Sequence, residues 1–324
     1  MSGQKIIILS TGGTIAMTAD SPRSGGNLKL GAAGLLAAVP GLGEIATIEG
    51  RDVLAKPSAS FTLLDLKTIA DAASKAAQQA DGVVITHGTD TLEETAFALS
   101  LLVHTETPVI ITGAMRRPDQ PGADGPANIA AACRVAASPA ARGKGILVVI
   151  GDEIHSGAFV RKIHSFRPHA FSSLGPLGWV VEDRVRFFLA PVQHLPRLSC
   201  GDATPVVPIL ETGICFEQEI VELLGSSKIN GLVLNATGAG HIAAHVVPAL
   251  ERIAERIPVI FASRTGSGET LRKSYGFPGS ETDLIQRGLI PAGSLDARKA
   301  RIVLLLALSS RLDIGTIRTL FDGF

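Results

Sequence analysis

The sequence predicts an α/β protein with a larger N-terminal domain on a mostly parallel sheet and a smaller C-terminal α/β domain. Three observations carry that prediction. Short apolar runs without alternation, Ile6-Ile7-Ile8-Leu9 first among them, read as strands buried on both faces, the pattern of parallel sheets. Stretches of helical spacing separate such runs from residue 5 to residue 150, so this part reads as successive βαβ units. Residues 189–205, which hold Pro191, Pro196 and Pro205, then lose all period before a second alternating series begins. The expected boundaries are an N-terminal domain over residues 1–190, a linker over 191–206 and a C-terminal domain over 207–324. Two domains suit a chain of 324 residues, above the usual single-domain size.

Taken in order, the first strand is broken by Ser10-Thr11-Gly12-Gly13-Thr14, at the end where open α/β sheets place their ligands. Residues 17–27 have no period and many breakers, and read as a mobile loop that closes over the site as a lid. A short helix is expected within residues 28–39, stopped by Pro40-Gly41, and a strand over 45–54. Residues 62–80 carry Leu63, Leu64, Ile69 and Ala72 at helical spacings and predict an amphipathic helix. A strand at 82–86, a helix at 92–103 and a strand at 108–112 follow. Ala123-Asp124-Gly125-Pro126 opens a helix that runs to residue 137, with proline near its first turn, and residues 145–150 give another buried strand. Residues 153–188 read as irregular. In the second series, strands are expected at 206–210, 231–235 and 258–263, and helices near 217–224, 243–255, 295–309 and 314–321.

Composition narrows the function. Lys plus Arg and Asp plus Glu each number 30, so the formal net charge is zero. A neutral chain without a run of Lys and Arg argues against nucleic acid or an anionic membrane as partner. No apolar run approaches the roughly 20 residues that span a bilayer. Cys133, Cys200 and Cys215, far apart and in no CxxC arrangement, suit neither a disulfide framework nor a zinc site, and read as buried free thiols. With the first strand so near Met1, the expected compartment is the cytoplasm.

Two strand ends carry the chemistry. Thr11-Gly12-Gly13-Thr14 matches neither GxxxxGK[ST] nor GxGxxG, so a phosphate loop is the weakest of three readings, beside a tight turn with solvated threonines and a hydroxyl nucleophile with a neighbouring base. His87-Gly88-Thr89-Asp90-Thr91 caps a helix through Asp90 or Thr91, with Glu93 and Glu94 suited to its positive end. Its functional version adds Thr89 and Asp90 to the same crevice as Thr14. His87 reads as a general base or as a hydrogen-bonded structural residue. Lys162 becomes usable as a base only if it is partly buried near a carboxylate. Neither GxSxG nor HExxH occurs, so serine-hydrolase and zincin chemistry has no support.

Together these stretches resemble the bacterial-type L-asparaginase/glutaminase family along nearly the whole chain. The resemblance rests on Ser10-Thr11-Gly12-Gly13-Thr14-Ile15-Ala16, His87-Gly88-Thr89-Asp90-Thr91-Leu92-Glu93-Glu94, Gly113-Ala114-Met115-Arg116 and Ala123-Asp124-Gly125-Pro126. Gly175-Pro176-Leu177-Gly178, Ser263-Arg264, Tyr275-Gly276-Phe277 and Lys299-Ala300-Arg301 extend it. It implies hydrolysis of a small amino-acid amide to acid and ammonia, without metal or organic cofactor, in a homotetramer of intimate dimers. By the resemblance, Thr14 is the nucleophile, and Thr89, Asp90 and Lys162 form a triad around the attacked amide. Ser58 holds the substrate α-carboxylate, and the main chain at Gly88 and Ala114 completes the substrate-binding set. Asp90 and Glu269 pair with the α-ammonium, Glu269 being lent by a neighbouring subunit whose C-terminal domain completes the site.

Three departures accompany the resemblance. The family's lid tyrosine has no counterpart in residues 17–30, since the single tyrosine is Tyr275. Ala59 stands where many members carry glutamine, and His241 where asparagine or serine is usual near the shared edge of the site. They bear on which amide is preferred, with asparagine expected ahead of glutamine. A related aspartyl, glutamyl or peptide-linked amide is the alternative substrate. A catalytically silent asparagine or aspartate sensor is the alternative of another class, and it would need neither nucleophile nor base.

Overall fold

In a computed structural model the described residues are 3–18, 27–28, 31–191 and 195–324. The chain divides into two compact units, Met1–Arg197 and Leu198–Phe324, a division that falls within the proline-marked stretch.

In the first unit the elements run β1 (Lys5–Ser10), β2 (Met17–Thr18), β3 (Asn27–Leu28), α1 (Ala32–Ala37), α2 (Leu42–Ile45), β4 (Thr47–Asp52), α3 (Leu63–Ala77), β5 (Gly82–Thr86) and α4 (Leu92–Leu102). They continue with β6 (Val109–Thr112), α5 (Gly125–Ala137), β7 (Ile146–Ile150), β8 (Glu153–Ser156), β9 (Arg161–Lys162), β10 (Phe171–Ser172), β11 (Gly178–Val181) and β12 (Arg184–Phe187). Eight strands form one sheet in the order β12-β11-β8-β7-β6-β5-β1-β4. From β4 to β7 all pairings are parallel, while β8, β11 and β12 add an antiparallel edge. The sheet is therefore mostly parallel, as expected.

Each apolar run serves two cores, because successive side chains leave a strand on opposite faces. Ile6, Ile8, Val84, Ile110 and Leu147 join Leu35, Ile129, Ala132 and Val135 on the face covered by α1, α2 and α5. Ile7, Leu9, Val83, Ile85 and Val148 join Ile69, Ala73, Ala96 and Leu99 on the face covered by α3 and α4. Helix α3 starts at a capping box, in which Thr62 accepts from the Asp65 N–H and the Asp65 carboxylate accepts from the Thr62 N–H.

Several expectations need correction. Ile45 closes the short helix α2, so the strand read as 45–54 begins at Thr47. Residues 153–188, read as irregular, hold five strands. Their signal is weak because each is four residues or fewer and the β11–β12 hairpin turns through Glu182, at φ 59°, without a glycine. The lid reading falls mainly on residues 19–26, outside the described residues; its ends, β2 and β3, pair antiparallel. Of the three thiols only Cys133 is buried, Cys200 being intermediate and Cys215 exposed.

The second unit contains β13 (Ile209–Glu211), α6 (Gln218–Ser226), β14 (Leu232–Ala236), α7 (Val247–Ala254), β15 (Val259–Ser263), α8 (Glu281–Gln286), β16 (Ile290–Pro291), α9 (Ala297–Ser309) and α10 (Ile314–Phe321). Its four strands pair in parallel in chain order. Here the strand expected from Val206 starts at Ile209, and the short pair α8 and β16 has no counterpart among the expected elements. Among the described residues no helix is long and apolar enough to cross a membrane.

Candidate active site

The strand order itself makes a crevice. From β1 the chain moves to β4 on one side, then returns past β1 to β5 on the other, so the connections leave β1 and β5 in opposite directions. Ligands of open α/β sheets bind at such switch points, beyond the carboxyl ends of the strands. Ser10 pairs with Thr86 there, which brings the loop after β1 beside the loop after β5. Three hydrogen bonds fasten the strand ends. The Thr11 N–H (3.1 Å) and hydroxyl (2.8 Å) both donate to the Thr86 carbonyl, and the His87 N–H donates to Thr112 at 2.8 Å.

Two glycines then let the loops touch. Gly13 adopts φ 88° and ψ −179°, a region essentially closed to other residues. A Cβ on Gly13 would lie 2.3 Å from Gly88 Cα, and one on Gly88 would lie 2.6 Å from Ser58 Oγ. So Gly13, Gly88 and Ser58 form one contact, and larger side chains at either glycine would drive the loops apart. Thr14 follows Gly13 and opens a short 3-10 turn whose Ile15 and Ala16 are buried, leaving Thr14 half-buried at the lip.

On the other side of Gly88, Thr89 is buried and Asp90 exposed. Lys162 reaches both, its Nζ donating to Thr89 Oγ1 at 3.0 Å and to Asp90 Oδ1 at 2.9 Å. The lysine is largely covered, its side chain 14% exposed, against 69% for Asp90. Ser58 Oγ is buried and has no hydrogen-bond partner among the described residues. A buried hydroxyl in that state carries an unmet desolvation cost, which a ligand atom relieves.

The loop after β6 closes the set. Asp124 accepts from the N–H groups of Met115 (3.0 Å) and Arg116 (2.8 Å). Asn128 bridges the Gly113 carbonyl and the Gly151 N–H at 2.9 Å each, so the buried Ala114 is held from both sides.

His87 is no base for this crevice. It is fully buried, edge-on to Phe61 at 4.9 Å, and its Nδ1 is bonded to the Gly88 carbonyl at 2.7 Å. Burial pushes its pKa down to about 4, against the opposing pull of that carbonyl. The structural reading of His87 therefore holds. Among the described residues no three His, Cys, Asp or Glu side chains are grouped so as to hold a metal ion.

Residues 5–193 match the family model for the asparaginase N-terminal domain, and residues 206–321 that for the glutaminase/asparaginase C-terminal domain. The chain belongs to the bacterial-type asparaginase family. It is 35% identical to a glutaminase-asparaginase of Pseudomonas aeruginosa, with 98% of this chain and 89% of the relative covered. It is 31% identical to L-asparaginase 2 of Escherichia coli, covering 98% and 93%. In three dimensions it resembles the crystal structure of a probable cytoplasmic L-asparaginase from Campylobacter jejuni, with a TM-score of 0.90, 31% identity, and 99% and 100% of the two chains covered.

Of the residues that the asparaginase resemblance singled out, the first unit brings together the surroundings of Ser58, Thr14, Gly88, Thr89, Asp90, Ala114 and Lys162. His241 and Glu269 belong to the second unit. There His241 Nε2 donates to Glu281 Oε2 at 3.3 Å, and its ring meets Tyr275 and Phe277 edge-on at 4.9 and 5.1 Å. Burial would raise the Glu281 carboxyl, but the N–H groups of Tyr275, Glu281 and Ser274, with His241, hold it below the ordinary carboxylate range. Glu269 is exposed. Ala59 is exposed within the turn Ser58–Ser60, without a polar side chain to offer.

Sequence reasoning gave Thr91 and Glu93 to helix capping alone. Thr91 does occupy the N-cap of α4, yet its side chain makes no cap bond. Its hydroxyl donates to the Ser58 carbonyl at 2.9 Å, and Glu93 Oε2 accepts from the Lys162 main-chain N–H. Only the buried setting of Glu93 in a helical first turn distinguishes it from a solvated acid, and burial at that position is not visible in a lone sequence.

Proposed function

We propose that this asparaginase-family chain, an amidohydrolase by membership, converts L-asparagine to L-aspartate and ammonia through an acyl-enzyme on Thr14, with glutamine a weaker substrate. The observation that carries this reading is the Lys162 ammonium held by Thr89 Oγ1 and Asp90 Oδ1 within the crevice that Gly13 and Gly88 close.

In this reading Thr14 Oγ attacks the side-chain amide carbon. The C–N bond breaks, the hydroxyl proton leaves with the departing ammonia, and an ester to Thr14 remains. Water then cleaves the ester, giving the carboxylic acid and restoring the hydroxyl. Because Lys162 donates to Thr89 Oγ1, the Thr89 hydroxyl proton is directed away from the lysine and toward the substrate. Main-chain N–H groups near Thr89 and Ala114 serve the oxyanion. The Ser58 hydroxyl, without a partner among the described residues, binds the α-carboxylate, and Asp90, with Glu269 from a neighbouring subunit, binds the α-ammonium. We place the enzyme in the cytoplasm as a homotetramer of intimate dimers.

Ammonia release from asparagine, glutamine and a small set of aspartyl amides tests the reading, run beside Thr14→Ala. Expected are turnover of asparagine above the others, loss of turnover in the variant, and binding of asparagine retained. An unchanged kcat in Thr14→Ala removes the nucleophile from the scheme.

A further inference from the structure

The first turn of α4 touches two separate parts of the crevice. Thr91 sits at the N-cap, where a threonine side chain ordinarily accepts from an N–H in the first helical turn. Here the hydroxyl is turned outward instead, donating at 2.9 Å to the carbonyl of Ser58, 33 residues earlier. Two positions on, Glu93 is 2% exposed, at the helix end whose dipole favours a carboxylate. Its Oε2 accepts from the main-chain N–H of Lys162, 69 residues later.

That second bond matters because of where Lys162 lies. Strand β9 stands outside the eight-stranded sheet and is two residues long, paired among the described residues with β10. A lysine ammonium rides on a flexible four-carbon stem, so its position is only as well defined as its main chain and its partners make it. Glu93 adds to the short β9–β10 pairing a tie on the Lys162 main-chain N–H, and Thr89 and Asp90 hold the tip.

We propose that the first turn of α4 is a positioning bracket with divided effects: Thr91 sets the grip on the substrate head through Ser58, and Glu93 sets the chemical step through Lys162. The proposal rests on the amidohydrolase reading given above, and neither residue touches the reacting atoms. The two residues, two positions apart, then have opposite kinetic signatures, which simple support of the helix would not produce.

The test compares full-length wild type, Thr91→Val, Glu93→Gln and Glu93→Leu by ammonia release from asparagine. Thr91→Val removes one neutral hydrogen bond and is expected to raise KM about fivefold with kcat within about twofold. Glu93→Leu releases the lysine main chain and is expected to lower kcat about 100-fold with KM little changed. Glu93→Gln keeps an acceptor oxygen and should lose about tenfold or less. Competitive acetylation with acetic anhydride, read by mass spectrometry, supplies a readout free of turnover. Lys162 should label more slowly than the exposed Lys228 in wild type and in Thr91→Val, and several-fold faster in Glu93→Leu.

The bracket is overturned if Glu93→Leu leaves Lys162 labelling unchanged, or if both substitutions move the same kinetic parameter. Should Glu93→Leu not fold, Glu93→Gln carries the same comparison with a smaller rise in labelling. A wild type that releases no ammonia from asparagine removes the functional reading, and the labelling arm then decides the Glu93 contact by itself.

Discussion

Gly13→Ala probes the contact on which the crevice depends. The native φ of 88° and ψ of −179° cost a residue with a side chain roughly 1–3 kcal/mol. The new Cβ would also lie 2.3 Å from Gly88 Cα and 2.4 Å from Gly88 N. Both atoms are main chain, so no side chain can swing aside. Ordinary carbon contacts are about 3.5 Å, so relief requires the two loops to part by about 1 Å. A shift of that size at reacting groups costs on the order of 100-fold in rate. The expected result is therefore a kcat for ammonia release lowered about 100-fold or more, with a lower melting temperature. Gly145→Ala is the control. Gly145 has φ +71° with nothing within 4 Å of the methyl carbon an alanine would add, so it carries only the left-handed backbone cost of roughly 1–2 kcal/mol. That variant should lose thermal stability while its kcat stays within about twofold of wild type. A coupled ammonia assay at saturating asparagine and scanning fluorimetry read both variants. Wild-type kcat in Gly13→Ala refutes the reasoning, and so does an equal loss in Gly145→Ala, which would mark the effect as general destabilisation.

Two further outcomes follow from buried groups. The pKa of His87 is pushed from 6.5 to about 4 by burial, so between those values the unfolded chain takes up a proton that the folded chain refuses. Stability is then lost as pH falls through this window, by about 3 kcal/mol in full. His87→Gln, which can still donate to the Gly88 carbonyl, should flatten the fall of the urea midpoint between pH 6.5 and 4, and an unaltered slope contradicts the burial argument. Burial likewise pushes the Cys133 thiol up to about 12, while Cys215 is exposed. Iodoacetamide should label Cys215 in the native protein and Cys133 only after unfolding. Equal labelling rates at the two positions would show that helix α5, which carries Cys133, parts readily from the sheet.

The parts of the fold legible in the sequence are those where one residue type answers to one physical demand. Strands β1, β5, β6 and β7 are buried on both faces, so their apolar runs are uninterrupted and hard to mistake. Strands β11 and β12 present the opposite case. Burial alternates along Gly178–Val181 and Arg184–Phe187, but each spans only four residues, too few for a period to stand out. Helix α8, six residues long, has a clear cap in Ser280 yet no length over which helical spacing can repeat.

The same distinction runs through the crevice. Where two loops come as close as Gly13 and Gly88 do, only glycine fits, and Thr11-Gly12-Gly13-Thr14 and His87-Gly88-Thr89 advertise the meeting in their composition alone. The ties from Thr91 to Ser58 and from Glu93 to Lys162 leave no such mark. Each joins a side chain to the main chain of a residue 33 or 69 positions away, and a main-chain partner imposes no constraint on which amino acid supplies it. Thr91 at an N-cap and Glu93 in a first turn also satisfy the local rules for starting a helix, so the nearer explanation hides the farther one. Residues that fit a local rule yet are buried, or whose polar atoms turn from the local partner, are therefore where long-range positioning contacts should be sought in this fold.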